Sequence, residues 1–442
     1  MVTCMKTLNK KNNITKEELI KDLYFACKHP RNFKIGIEYE RITIDKNNQS
    51  VNYYGDNGIK TLLENFSLKY NWEKILDCNN LIGIEKDKTT ITLEPGGQIE
   101  ISLSPQKSLA DIEINLEDLK NKIDIEANNL GISILEYGIT PASKIKDIDI
   151  IPKRRYLTMS NYLPLNLALV MMKQTSGIQV IFDYESEEDA IKKLALSSKL
   201  SPIVTGIFAN SPIYEKKDSG YKSYRAYAWC HTDNNRCGII SSKLFNYFSF
   251  SDYIDKVFNI PMIFIVRNNR IINIDGKITF KTFYENGYQG FQATKDDFLL
   301  QASLFFPDVR LKNYIEIRNH DCQKGKLKYA IPALYKGLFS SYKSLSDASE
   351  ILKPFNYEDI KIAQETSAKI GLGAKIGNYK ISDISKEILK LSYDNLDYID
   401  QKYLEPILEI NYDNLSPADI ILKNWYGSWN QDFSKFINYL KS

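Results

Sequence analysis

The sequence predicts an α+β protein, a sheet with one apolar and one acidic face whose apolar side is covered by helices. Three observations lead there. Short segments alternate apolar and polar residues with period two, long capped amphipathic segments lie between them, and beyond residue 327 the chain reads mostly helical. No internal repeat and no Pro-, Gly- or Ser-rich linker interrupts this pattern. One continuous domain over residues 1–442 is expected, sheet-rich over about 33–326 and mostly helical over about 327–442.

Each element has a local cause. Residues 15–28 form a first helix, with Thr15 as cap and Glu18 three residues on. KIGIEYE then sets Glu38 and Glu40 on one face of a strand and Ile35, Ile37 and Tyr39 on the other. In ITLEPGGQIEISLS, the side chains of Gln98, Glu100 and Ser102 oppose Ile99, Ile101 and Leu103. Gly96 and Gly97 make a sharp turn or bulge that aims Glu94 toward the same side. Ser108 caps a helix whose stripe is Leu109, Ile112, Leu116, Leu119, Ile123 and Leu130, and Gly131 sits where a helix-ending glycine belongs. SGIQVIFD places Gln179 with Gly177, opposite Ile178, Val180 and Phe182. A second long helix starts at Ser186. NYIEIRNHD groups Tyr314, Glu316 and Arg318 against Ile315 and Ile317. GLGAKIG (371–377) has neither the spacing nor the Ser/Thr of a phosphate loop and reads as a flexible loop. Ser416 and Pro417 open a late helix.

Bulk properties exclude several classes of function. The 442 residues carry 58 basic and 55 acidic side chains, a net charge of +3 that gives no drive toward nucleic acid or membrane. With six Cys, none in a C-x-x-C pair, and three His, neither a zinc site nor a disulfide framework is expected. No apolar run approaches the ~20 residues of a membrane span. The N-terminus reads as neither a signal peptide nor a plastid-type leader, so a reducing cytoplasm is the expected setting.

The polar faces of the strands carry Glu repeatedly and no Lys. Carboxylates on neighbouring strands repel unless counter-charge lies among them. Arg318 supplies one such charge; a hard divalent cation, Mg²⁺ or Mn²⁺, would supply the rest, and magnesium held by carboxylates commonly serves phosphate chemistry. Nearby arginines suited to carboxylates or phosphates are Arg154, Arg155, Arg225 and Arg236, with Tyr156, Tyr224 and Trp229 around them. His231 and His320 read as local hydrogen-bonding groups.

GIEYER, LEPGGQIEIS, IPKRRYLTMSNYLP, SGIQV, FANSP, YRAYAWCHTD, FPDVRLKNYIEIR and KNWYGSWNQD occur in this order. Together they resemble the plant and proteobacterial branch of the glutamate–cysteine ligases over about residues 33–430. That resemblance implies a curved, mostly antiparallel sheet of the glutamine synthetase type, with ATP, Mg²⁺, glutamate and cysteine on its concave face. It implies a metal set of Glu38, Glu40, Glu94, Glu100, Gln179 and Glu316, and a phosphate contact at Arg318. Catalysis would fall to Arg318 and Glu316, and substrate binding to Arg155, Tyr156 and Arg225. The reaction implied is ATP-dependent γ-glutamyl amide formation through an acyl phosphate, the first step of glutathione biosynthesis, on small-molecule substrates alone. None of the six cysteines matches the plant redox pair, so thiol switching is not expected. A γ-glutamyl ligase for another amine, a noncatalytic sensor on the same scaffold and a metal-dependent phosphohydrolase are the alternatives.

Overall fold

The computed structural model describes residues 14–163 and 167–441, which leaves Cys4, the leading segment and Pro164 outside the described residues. Its organising element is a sheet of nine strands: β1 (Ile35–Ile44), β2 (Glu73–Asp77), β3 (Asn80–Lys86), β4 (Thr89–Leu93), β5 (Ile99–Ser102), β6 (Ser133–Leu135), β7 (Gly177–Phe182), β8 (Val309–Leu311) and β9 (Ile315–Asp321). The spatial order is β8–β9–β7–β1–β5–β4–β3–β2, with β6 pairing the far end of β1. Every pairing is antiparallel. The expected α+β class therefore holds, with β1, β5, β7 and β9 adjacent at the centre.

The alternation read from sequence fixes the two faces. Ile37, Tyr39, Ile99, Ile101, Ile178, Val180, Ile315 and Ile317 are all buried in one core with the helices that cover this side. Those helices include α1 (Lys16–Phe25), α2 (Leu109–Asn129) and α4 (Glu187–Ile207), whereas α3 (Arg154–Tyr162) brings Tyr156 to Glu94 on the polar side. Thr15, Ser108 and Ser186 each cap their helix by accepting the amide three residues on. Beyond residue 327 the chain is mostly helical, and the Ser416 capping box with Pro417 opens Pro417–Tyr426. The same core cluster draws residues from both halves, from Leu200 to Leu389.

GLGAKIG is not the flexible loop expected. Gly371–Gly373 form a 3₁₀ turn, and Lys375–Ile376 pair with Tyr379–Lys380. Leu372, Ala374 and Ile376 are buried, which ties the segment to the core. Gly371 and Gly377, with φ of +60° and +56°, supply left-handed turns there.

Candidate active site

The polar face gathers the expected side chains through register. Glu40 pairs directly with Glu100, Glu38 lies between Ser102 and Gln179, and Arg310 pairs with Glu316. Glu94 follows β4 directly and joins the group through a tight turn: Gly97 N donates to Glu94 O at 2.9 Å and Glu94 N to Gln98 O at 2.9 Å. Gly97 takes φ +86°, and a Cβ at Gly96 would stand 2.0 Å from Lys173 O, so both glycines are required by the turn.

Hydrogen bonds orient most of these carboxylates. Glu40 Oε2 accepts Gly177 N at 2.6 Å and its Oε1 accepts Gln179 Nε2 at 2.9 Å. Glu100 Oε1 accepts Thr92 Oγ1 at 3.1 Å and Ser102 Oγ at 3.0 Å. Tyr156 OH lies 3.2 Å from Glu94 Oε1. Glu38 differs: among the described residues nothing donates to it, and its neighbours act on it through charge alone.

Two opposite electrostatic environments result. Burial, reinforced by Glu100 and Glu316, pushes Glu38 up to about 7. Burial likewise raises Glu40 to about 7 against the pull of Arg225, and Glu94 to about 7 with Glu40 adding to it. Glu100 is raised by burial and by Glu94. Glu316, 0% exposed, goes the other way. Burial alone would raise it, but Arg310, Lys312 and Arg318 together hold it well below the usual carboxylate range. Arg310 Nε lies 2.6 Å, Lys312 Nζ 2.7 Å and Arg318 Nη1 3.1 Å from its oxygens.

The donor set has the hard-oxygen chemistry of a Mg²⁺ or Mn²⁺ site, and four carboxylates with raised pKa values and too little counter-charge suit a cation. As placed, however, among the described residues no three carboxylate, imidazole or thiol groups converge tightly enough to hold one. Glu316 departs furthest from the expected ligand set, because its oxygens are taken by three side-chain cations. Lys312, half-buried and the most exposed of the three, is the one with freedom to withdraw.

The arginines divide into two kinds. Arg225 is buried against Trp229, donates from Nη2 to Arg318 O at 2.9 Å and, among the described residues, leaves Nε without a partner. Arg155 binds Ser303 through Oγ at 2.9 Å and the carbonyl at 2.7 Å, within electrostatic reach of Glu94, Arg310 and Arg318. Arg318 also donates to Gln179 Oε1. Arg154 and Arg236, by contrast, are structural. Arg154 pairs with Asp77 and Asn269 near the surface, and Arg236 is buried against Asp233, Leu304 O and Pro261 O. A small pocket bounded by Arg225, Trp229, Phe306, Asp308 and Arg318 opens beside the carboxylate face. A larger cavity of about 440 Å³, lined by Lys34, Phe182 and Lys193, contains none of these residues.

Sequence reasoning missed Lys153, Arg310 and Lys312. Lys153 Nζ sits 3.2 Å from Tyr156 OH and acts on Glu94. Arg310 and Lys312 stand two residues apart, flanking Leu311 as Glu316 and Arg318 flank Ile317, so the same period-two test applied to VRLK would have exposed them.

The model of glutamate–cysteine ligase family 2 matches residues 34–404. The chain belongs to this family. It is 32% identical over 426 residues to the chloroplastic glutamate–cysteine ligase A of Oryza sativa subsp. indica, covering 95% of this chain and 86% of the relative. The chloroplastic glutamate–cysteine ligase of Arabidopsis thaliana is 31% identical over 426 residues, 95% of this chain and 81% of its own. Among solved structures, the glutamate–cysteine ligase of Francisella tularensis in complex with AMP is similar in fold, with a TM-score of 0.55 at 13% identity. The match covers 93% of this chain and 89% of that one.

Proposed function

We propose that this family member joins the γ-carboxylate of L-glutamate to the amine of L-cysteine at the expense of ATP, the first step of glutathione biosynthesis. The observation that carries this reading is the joining of two halves on one rigid sheet: a carboxylate quartet short of counter-charge, and arginines held beside it. In the first step a γ-carboxylate oxygen of glutamate attacks the γ-phosphorus of ATP; the bond to ADP breaks and γ-glutamyl phosphate forms. In the second step the cysteine amine attacks the acyl carbon, phosphate leaves and the amine loses a proton. Both steps develop charge at oxygen, so fixed positive groups lower the barrier electrostatically.

Within this reading Glu38, Glu40, Glu94, Glu100 and Gln179 would hold Mg²⁺ or Mn²⁺, which neutralises the polyphosphate when bound. Glu316 would join them once Lys312 gives up its oxygen, and otherwise serves to fix Arg310 and Arg318. Arg318 faces the transferred phosphoryl group. Arg225 and Arg155 grip amino-acid carboxylates with their planar forks, and Tyr156 keeps Glu94 in place. We take the sheet to be of the curved, glutamine synthetase-like kind and residues 1–442 to be one domain, supported by the shared core. Among the described residues no helix is long and apolar enough to cross a membrane. The cytoplasm is the proposed compartment, although the curated relatives are chloroplastic. Small molecules are the proposed partners.

An ADP-release assay with Mg²⁺, glutamate and a panel of amines tests the proposal. Cysteine should give the highest kcat/KM. A different amine winning by a wide margin would keep the chemistry and change the acceptor; no ADP release with any amine would refute ligation.

A further inference from the structure

The end of β9 carries a β-bulge between Ile317 and His320. Strict alternation from Glu316 and Arg318 would bring His320 to the polar face. The bulge instead sets His320 opposite Ile178, where its ring bonds Tyr335 OH at 3.1 Å on the apolar side. Asp321 falls opposite Gly177 and so joins the polar face, since residues paired across antiparallel strands share a side.

Asp321 is 2% exposed and fully engaged. Its Oδ2 accepts Ser211 Oγ at 2.6 Å and Asn210 N at 2.8 Å, and its Oδ1 accepts Ser223 Oγ at 2.7 Å. Each hydroxyl has one proton, and an ionised carboxylate can only accept. Both protons are thereby committed to Asp321, leaving the oxygen lone pairs to face the first turn of α5 (Tyr224–Cys230). Ser223 Oγ accepts Ala226 N at 3.0 Å as the helix cap, and Ser211 Oγ accepts Arg225 N at 3.2 Å. The guanidinium that leaves this turn lies over Gly177, where a Cβ would stand 2.5 Å from Nη2.

We infer that Asp321 is a positioning residue for Arg225: through the Ser211 and Ser223 hydroxyls it fixes the first turn of α5 and thereby the direction in which the guanidinium is presented to substrate. This rests on the reading that Arg225 holds the carboxylate of an amino-acid substrate. An asparagine at position 321 is isosteric, but one of its terminal atoms donates. One serine must then accept from that atom and turn its proton elsewhere, which removes the hydroxyl–carboxylate bond that fixes its oxygen under the helix turn.

Steady-state kinetics of Asp321→Asn, Ser211→Ala, Arg225→Gln and the Asp321→Asn/Arg225→Gln double variant test the inference. Arg225→Gln should raise the KM of one amino acid about tenfold or more, and Asp321→Asn should raise that same KM about threefold to tenfold with kcat changed less. The KM for ATP should not move, Ser211→Ala should shift the amino-acid KM in the same direction by less, and the double variant should equal Arg225→Gln alone. If Arg225→Gln moves neither amino acid's KM, the reading of Arg225 fails and the inference with it. If Arg225→Gln acts but Asp321→Asn lowers only the melting temperature, or multiplies the Arg225→Gln effect, the inference alone is overturned. Should Asp321→Asn not fold, Ser211→Ala decides: an unchanged KM overturns the inference.

Discussion

Glu38→Gln removes a charge from the sheet without removing a hydrogen bond, since among the described residues nothing donates to this carboxylate. In the folded protein Glu38 titrates at about 7 rather than 4.5. Between those values the native state holds a proton that the unfolded chain has lost. The associated stability is complete below the unfolded value and is lost as the pH rises through about 7. Ionising such a group costs ~3 kcal/mol, and residual solvent contact and coupling to its neighbours reduce this to ~2 kcal/mol. A chain of 442 residues has an unfolding entropy of roughly 0.9 kcal/mol per degree, so the variant should melt about 2 °C above the parent at pH 8. At pH 4, below the unfolded value, both the native and the unfolded parent mostly hold the proton, and the two melting temperatures should nearly coincide. Differential scanning calorimetry in the presence of a chelator reads this directly, and ADP release should be abolished in the same variant. Equal melting temperatures at pH 8, or a loss at both pH values, would refute the electrostatic description of the site.

Glu316→Gln should do the opposite and destabilise by about 3–5 kcal/mol at pH 8, because Arg310, Lys312 and Arg318 lose their shared partner. A melting temperature within a degree of the parent would contradict it. A Cβ at Gly177 would stand 2.5 Å from Arg225 Nη2 and 2.7 Å from His320 O, so Gly177→Ala should lower the melting temperature and raise an amino-acid KM about tenfold or more by displacing the guanidinium together with the β9 backbone; parental kinetics would show that the seat does not matter. Cys27, Cys78, Cys230, Cys237 and Cys322 are free, and burial pushes the Cys237 thiol up to about 12 and raises Cys230 and Cys322 as well. Oxidants and dithiothreitol should therefore leave activity nearly unchanged, and a mapped intramolecular disulfide that tracks activity would contradict this.

The central strands and their two faces were legible because a period-two pattern is local: each of β1, β5, β7 and β9 declares its own sides. Caps at Thr15, Ser108, Ser186 and Ser416 were legible for the same reason. Pairing is not local. That Glu40 lies opposite Glu100, and that Arg310 on β8 answers Glu316, depends on register between segments far apart in the chain or joined by a turn. The outer strands β2 and β3 mix charged and apolar residues without clean alternation, and β4, TTITL, is too short and uncharged to stand out, so none of the three is read as a strand from sequence. The bulge in β9 leaves no mark in RNHD, so Asp321 was hidden and His320 was weighed in its place. Arg154 and Arg236 looked equivalent to Arg155 and Arg225, since a guanidinium's partner, Asp77 or substrate, is set by tertiary position. The acceptor amine came from family resemblance, not from any residue pattern.

The acyl phosphate is the intermediate on which the proposed reaction turns. With glutamate labelled by ¹⁸O in its γ-carboxylate, incubated with the enzyme, Mg²⁺, ATP and cysteine, mass spectrometry of the released phosphate and of the product measures where the oxygen goes. Attack of the γ-carboxylate on ATP followed by displacement by the amine sends one labelled oxygen into phosphate for each γ-glutamylcysteine formed. γ-Glutamylcysteine formed with unlabelled phosphate, one labelled oxygen kept in the amide and the other lost to water, would contradict that route.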